Sequence, residues 1–216
     1  MISVYLIRHA ESEGNVNHHL IGGQSNHLPL TERGIQQAHL LGKRLASEHM
    51  QFDKIVSSTA VRALHTARTS LPYIGQETQI ETTEKILEVG QGEWEGMERA
   101  EIYTPAVRQQ MASNPWNFHA PGGESLLDVV RRMRSWLDEV INGLDPQQPY
   151  RIAGYSHGFA IRTLVANLLE TSPLIARNMA THNTSMTLLQ YNGRRWLVER
   201  MNDAAHLAGT SFIGHY

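Results

Sequence analysis

Val4-Tyr5-Leu6-Ile7-Arg8-His9 is an apolar run stopped by two polar residues. An apolar run without alternation reads as a strand buried on both faces, as in a parallel sheet covered by helices. Ligands in open α/β sheets bind beyond the carboxyl ends of the strands. Arg8 and His9 therefore mark the first candidate site.

Working outward, a loop is expected through Gly14, Asn15, Gly22, Gly23 and Asn26. Thr31 is a plausible N-cap, and Ile35, Ala38, Leu41 and Leu45 fall on one helical face. Phe52 to Val56 reads as a second strand, ended by Ser57-Ser58-Thr59. A helix is expected from near Ala60, with Val61, Leu64, Ala67 and Leu71 turned inward. Strand–helix–strand–helix order predicts an α/β fold, with a mostly parallel central sheet and helices on both faces.

Periodicity weakens from about Gln79 to Pro121. Glu88 to Gly96 is punctuated by glycines, and a helix over about Arg99 to Met111 is blurred or kinked by Pro105. The stretch from about 90 to 122 reads as a cap-like insertion in one domain spanning 1–216. Ser125 with Asp128 resembles a capping box. It opens a helix whose stripe is Leu126, Val129, Val130, Met133, Trp136, Leu137, Val140 and Ile141. Pro149 to Gly154 predicts another central strand, with Tyr155-Ser156-His157-Gly158 at the following turn and an apolar helix to about Leu169. Ser185 to Gln190 and Trp196 to Met201 read as a C-terminal hairpin around Asn192-Gly193.

The absence of cysteine excludes disulfides, thiolate catalysis and Cys-ligated metals. A net charge of −2 gives no general attraction to nucleic acid or an anionic membrane. The N-terminus has no leader pattern and no run reaches the length of a membrane span, so the cytoplasm is the expected location. Monomer and dimer both stay open.

A neutral imidazole nitrogen can attack phosphorus if the other nitrogen keeps its proton toward a backbone acceptor. Arg8 beside it offers a donor fork for phosphate oxygens. His157 repeats the pattern at a second strand end, before Gly158 and a helix start that offers N–H groups to an anion. Arg62, in the first turn of its helix, is placed to reach back over the strand ends. Phosphoester cleavage also needs a proton donor for the departing oxygen. Glu88, Glu93 and Glu95 compete for that role, and spacing alone does not choose. Tyr103, Met111, Trp116 and Phe118 either wall a leaving-group pocket or pack the insertion. His18, His19, His27, His157, His182, His206 and His215 show no metal-ligand spacing, so neither metal nor cofactor is expected.

Arg8-His9-Ala10-Glu11-Ser12 with Asn15 resembles the Arg-His-Gly-Glu-Ser signature of the histidine phosphatase, or phosphoglycerate mutase-like, superfamily. The resemblance continues in order through Leu30-Thr31-Glu32-Arg33-Gly34, Ser57-Ser58 with Arg62, Glu88 with Gly92-Glu93-Trp94-Glu95-Gly96, Pro121 to Ser125, and Ser156-His157-Gly158. Ala10 departs from the commonest glycine.

The resemblance implies that His9 is a nucleophile that becomes phosphohistidine. It implies that Arg8, Asn15, Arg62 and His157 contact phosphate and that Glu88 is the general acid. Glu93 falls in a supporting segment. The implied activity is metal-independent hydrolysis of small phosphate monoesters, most like the broad-specificity bacterial phosphatases. A cofactor-dependent phosphoglycerate mutase is the alternative, with a non-catalytic phosphate-binding protein as another. Mutases of the family usually carry tryptophan before the motif asparagine, where this chain has Gly14, and a longer insert after Trp-Glu-Gly.

Overall fold

The computed structural model describes residues 1–78 and 80–212. Gln79, at the start of the weakly periodic stretch, and His215 lie outside the described residues. Six strands form one sheet: β1 (Ile2–Arg8), β2 (Lys54–Ser58), β3 (Ile80–Thr83), β4 (Tyr150–Ser156), β5 (Met186–Tyr191) and β6 (Trp196–Asp203). Their order is β3-β2-β4-β1-β5-β6. The first four are parallel, and β5 and β6 add antiparallel strands beyond β1. β4 therefore lies between β1 and β2, and all three carboxyl ends open on one edge.

Alternation along the central strands feeds two cores. Ile2, Val4 and Leu6 of β1, with Val56 and Ile152, face α6 (Leu126–Ile141) and α7 (Gly158–Leu168). Tyr5 and Ile7, with Ile55, Ala153 and Tyr155, face α2 (Glu32–Ser47) and α3 (Val61–Ser70). The expected helices on both faces are present. On α6, Val129, Val130, Met133, Trp136, Leu137 and Val140 are buried. A Cβ on Gly154 would lie 2.6 Å from the Trp136 ring, so β4 needs glycine where the indole crosses it. Truncating Trp136 to alanine is expected to cost about 3–5 kcal/mol.

The caps follow the sequence. Thr31 accepts from the Gly34 N–H, and Ser125 and Asp128 form the reciprocal box. The hairpin also forms, though its connection is longer than a two-residue turn. Asn192 Oδ1 accepts from the N–H groups of Arg194 and Arg195.

Several boundaries differ from expectation. Ser57 and Ser58 belong to β2 rather than ending it, because they pair with β3 and Ser57 also with β4. Tyr155 and Ser156 likewise complete β4. The loop after His9 contains a short helix, α1 (Glu13–Val16). Val61 is 43% exposed, and the inward face of α3 is Arg62, Ala63, Thr66, Ala67 and Ser70. The 99–111 helix is two pieces, α4 (Arg99–Ile102) and α5 (Pro105–Ser113), with Pro105 opening the second behind the N-cap Thr104. Among the described residues, no helix is long and apolar enough to cross a membrane.

Candidate active site

Beyond the strand ends lies a cavity of about 970 Å³. Arg8, His9, Asn15, Arg62 and Glu88 all line it. β1 delivers Arg8 and His9, the start of α3 delivers Arg62, and the segment after β3 delivers Glu88.

His9 is buried, and its Nδ1 lies 2.7 Å from the Ala10 carbonyl. A carbonyl only accepts, so the proton of the neutral ring is on Nδ1. Nε2 then presents its lone pair, toward which Arg62 Nε donates at 3.3 Å. Burial, followed by the Arg62 and Arg8 charges, holds the His9 imidazole well below its ordinary pKa, against a smaller opposing effect of the Ala10 hydrogen bond. The ring is thus neutral, with one fixed tautomer.

The His9 loop is pinned from several sides. The His9 N–H donates to Ser156, closing the chain onto β4. Ala10 N–H donates to Thr66 Oγ1 and Glu11 N–H to Gln37 Oε1. Asn183 Nδ2 donates to the His9 carbonyl at 3.0 Å and to Asn15 Oδ1 at 3.2 Å. Asn15 Oδ1 also accepts from Ser12. Asn15 thus caps α1 and braces Asn183 while lining the cavity.

Arg62 is also buried. Its Nη1 donates to the Gln24 and Ser25 carbonyls, and Nη2 to Gly23. That 23–25 loop is held in turn by Glu95, whose carboxylate accepts from the N–H groups of Gln24, Ser25 and Gln91 and from the Ser25 hydroxyl. Burial would raise the Glu95 carboxyl, but these hydrogen bonds outweigh it and the pKa is lowered. Burial lowers the Arg62 pKa, with Glu88 and Glu95 opposing.

Glu88 caps α7. Its Oε1 accepts from Ala160 N–H at 2.8 Å and from Val89 N–H at 3.0 Å, and Oε2 from Phe159 N–H at 3.1 Å. Arg132 fixes the segment behind it, donating to the Lys85, Leu87 and Glu88 carbonyls and pairing with Glu124. Glu93, by contrast, is exposed in a tight turn.

His157 is fully buried behind His9, with ring centres 5.1 Å apart, and is not among the cavity-lining residues. Its Nε2 lies 2.8 Å from Ser58 Oγ, while Nδ1 has no hydrogen-bond partner among the described residues. Burial, then the charges of Arg62 and His9 and those of Arg132 and Arg8, hold its pKa well below the ordinary value. The next residue must be small: a Cβ on Gly158 would lie 3.0 Å from Arg8 Nε and from Thr181 Oγ1. Arg8 itself donates from Nη1 to the Thr181 carbonyl.

Of the four aromatic and apolar candidates, Tyr103 and Met111 line the cavity. Phe118 packs on Trp94 instead, and Trp116 is not on the cavity wall. Among the described residues, no group of three or more His, Asp or Glu side chains could hold a metal ion.

The residues with no individual signal in the sequence are Glu95, Arg132 and Gln24, which hold loops rather than face the cavity floor. Only the Trp-Glu-Gly context of Glu95 drew attention to it, as a rival acid.

The profile of the family described as "Histidine phosphatase superfamily (branch 1)" matches residues 4–204. The chain is 30% identical over 212 residues to "Probable phosphoglycerate mutase GpmB" of Yersinia enterocolitica, covering 96% of this chain and 95% of that protein. It superposes on a mutant phosphoserine phosphatase of Entamoeba histolytica, in complex with phosphoserine, with a TM-score of 0.80 and 26% identity, covering 96% of this chain and 100% of the other. A mycobacterial glucosyl-3-phosphoglycerate phosphatase in complex with VO3 gives a TM-score of 0.78 at 26% identity, covering 93% of this chain and 98% of the other. With its strand-end histidine, buried arginine and full-length match, the chain belongs to the histidine phosphatase superfamily and to its catalytic class.

Proposed function

We propose that this protein hydrolyses phosphate monoesters of small metabolites through a phosphorylated His9, without a metal. The observation that carries this reading is the His9 ring itself. Nδ1 keeps its proton on the Ala10 carbonyl, so the Nε2 lone pair is available to attack.

In the first step Nε2 of His9 attacks phosphorus and the P–O bond to the alcohol breaks. Glu88, in its protonated form, gives its proton to the departing oxygen. In the second step water attacks the phosphohistidine, Glu88 takes a proton from that water, and inorganic phosphate leaves. Arg8, Arg62, Asn15 and the Nδ1–H of His157 are the proposed partners of the phosphoryl oxygens, where charge builds in the transition state. The Arg62 Nε donor must turn from Nε2 toward a phosphoryl oxygen as the ester enters.

The second reading is a mutase, in which the phosphoryl group returns to a bound intermediate. The match to a phosphoglycerate mutase-named protein over 96% of the chain favours it. The test is phosphate release from a panel of monoesters in excess EDTA, for wild type and His9→Ala. EDTA-resistant release, lost in the variant, supports hydrolysis. Acid-labile phosphohistidine without net release supports the mutase. Neither signal from a folded protein refutes both.

A further inference from the structure

The charge of the cavity is opposite to that of the chain. The whole protein carries a net charge of −2. Six residues of the cavity wall are arginines, Arg8, Arg62, Arg99, Arg108, Arg162 and Arg177, against two carboxylates, Glu11 and Glu88. Both carboxylates already have partners: Glu11 accepts from Thr31 and faces Arg33 at 3.6 Å, and Glu88 caps α7. An entering ligand meets a positive field that one phosphate, held between Arg8 and Arg62, does not account for.

The arginines fall into separate groups. Arg8 and Arg62 rise from the strand ends, whereas Arg99 stands on α4 and Arg108 on α5. The latter two converge on one ring. Their guanidinium carbons lie 5.9 Å and 5.7 Å from the centre of Tyr103. Each is tethered through Nε at 2.9 Å, Arg99 to the Leu20 carbonyl and Arg108 to the Tyr103 carbonyl. Neither takes part in an ion pair among the described residues. With Nε anchored, the two terminal nitrogens of each form an oriented fork on the cavity wall, the geometry that binds carboxylate or phosphate through paired hydrogen bonds. Two like charges gathered on one ring gain most from an anion supplied from outside the protein. A cavity of about 970 Å³ has room for far more than a lone phosphate.

We infer that Arg99 and Arg108 form a second oxyanion subsite, so that the preferred esters carry a carboxylate or another phosphate on the alcohol being released. This inference rests on the phosphoryl-transfer reading above, and it assigns the leaving-group end of the same cavity. The shared chemistry is an oxygen anion, and matched ligand pairs separate its two sources.

The experiment measures binding by calorimetry in the His9→Ala background, where turnover cannot interfere. One pair is 3-phosphoglycerate against glycerol 3-phosphate, which differ only by a carboxylate in place of a hydroxymethyl group. The other is fructose 1,6-bisphosphate against fructose 6-phosphate. The dianion-bearing member of at least one pair is expected to bind about tenfold tighter. Adding Arg99→Gln and Arg108→Gln together should bring that ratio close to one. Both residues are exposed, so the core is untouched. Arg131→Gln, at an exposed position on α6, should leave the ratio as it was. The inference fails if neither pair shows a preference, if the preference survives the double substitution, or if Arg131→Gln reduces it equally. Wild-type assays with the same esters separate the two failures. An intact ratio without turnover defeats the hydrolase reading alone, and turnover without a ratio defeats the subsite alone.

Discussion

Arg62 donates its Nε–H to Nε2 of His9 across 3.3 Å, so the cation occupies the lone pair through which the imidazole would react. The arrangement guards the neutral ring and must open when phosphate arrives. Arg62→Ala is expected to lower kcat by about a hundredfold or more, since a donor aimed at developing charge is lost. It should also raise the His9 pKa, because burial and Arg62 are the two leading causes of its depression. Imidazole NMR across a pH series checks the second effect independently of turnover. An unchanged His9 titration would contradict the assignment.

Stability should fall as pH drops from neutrality. His9 and His157 are held well below the ordinary imidazole value by burial, and burial pushes His206 down to about 4. Below about 6.5 the unfolded chain binds protons that the folded chain refuses. Each such histidine removes up to about 1.4 kcal/mol per pH unit. For His206 the loss runs from about 6.5 down to about 4. Asp203, lowered by Arg44, acts in a more acidic window. Urea unfolding at pH 7, 6 and 5 measures the slope, and His206→Gln should flatten it.

Glu95→Gln should lower kcat by about tenfold with a smaller change in KM, because Glu95 holds the loop that orients Arg62. If Glu95 were instead only a stability element, the variant would lower Tm and leave kcat per folded molecule unchanged. Steady-state kinetics beside a melting curve separates these outcomes.

Ser125→Ala removes the N-cap of α6 and should cost about 1 kcal/mol. Chemical denaturation at neutral pH reads this loss, and no change in denaturation midpoint would mean the cap is redundant.

Much of this was legible because particular residues repeat a physical pattern. Val4 to Ile7 is apolar throughout because helices cover both faces of β1, and the α6 stripe repeats at helical spacing for the same reason. β3 gave no such signal: Ile80-Glu81-Thr82-Thr83 pairs with β2 alone and exposes Glu81 and Thr82. Val61 misled because an apolar side chain at a helix start faces solvent, while the buried place on that turn belongs to Arg62. Glu88 and Glu95 could not be separated by spacing. What distinguishes them is α7, whose N-terminus takes the Glu88 carboxylate from far along the chain. Arg132 was hidden by the helix that displays it, since a polar residue beside an apolar stripe looks like ordinary surface.

β4 lies between β1 and β2, and this has a consequence for the growing chain. The first two strands synthesised share no edge and cannot zip together as they leave the ribosome. Both wait for Tyr150–Ser156, and a distant strand that must be recruited makes for slow assembly with exposed edges. The His9 turn waits longer still, since the side chain that clasps its carbonyl is that of Asn183. A nascent or truncated chain therefore holds a histidine with no fixed tautomer and no neighbouring cation. Catalytic competence arrives near the end of translation, which keeps unfinished copies from acting on the cell's phosphate esters.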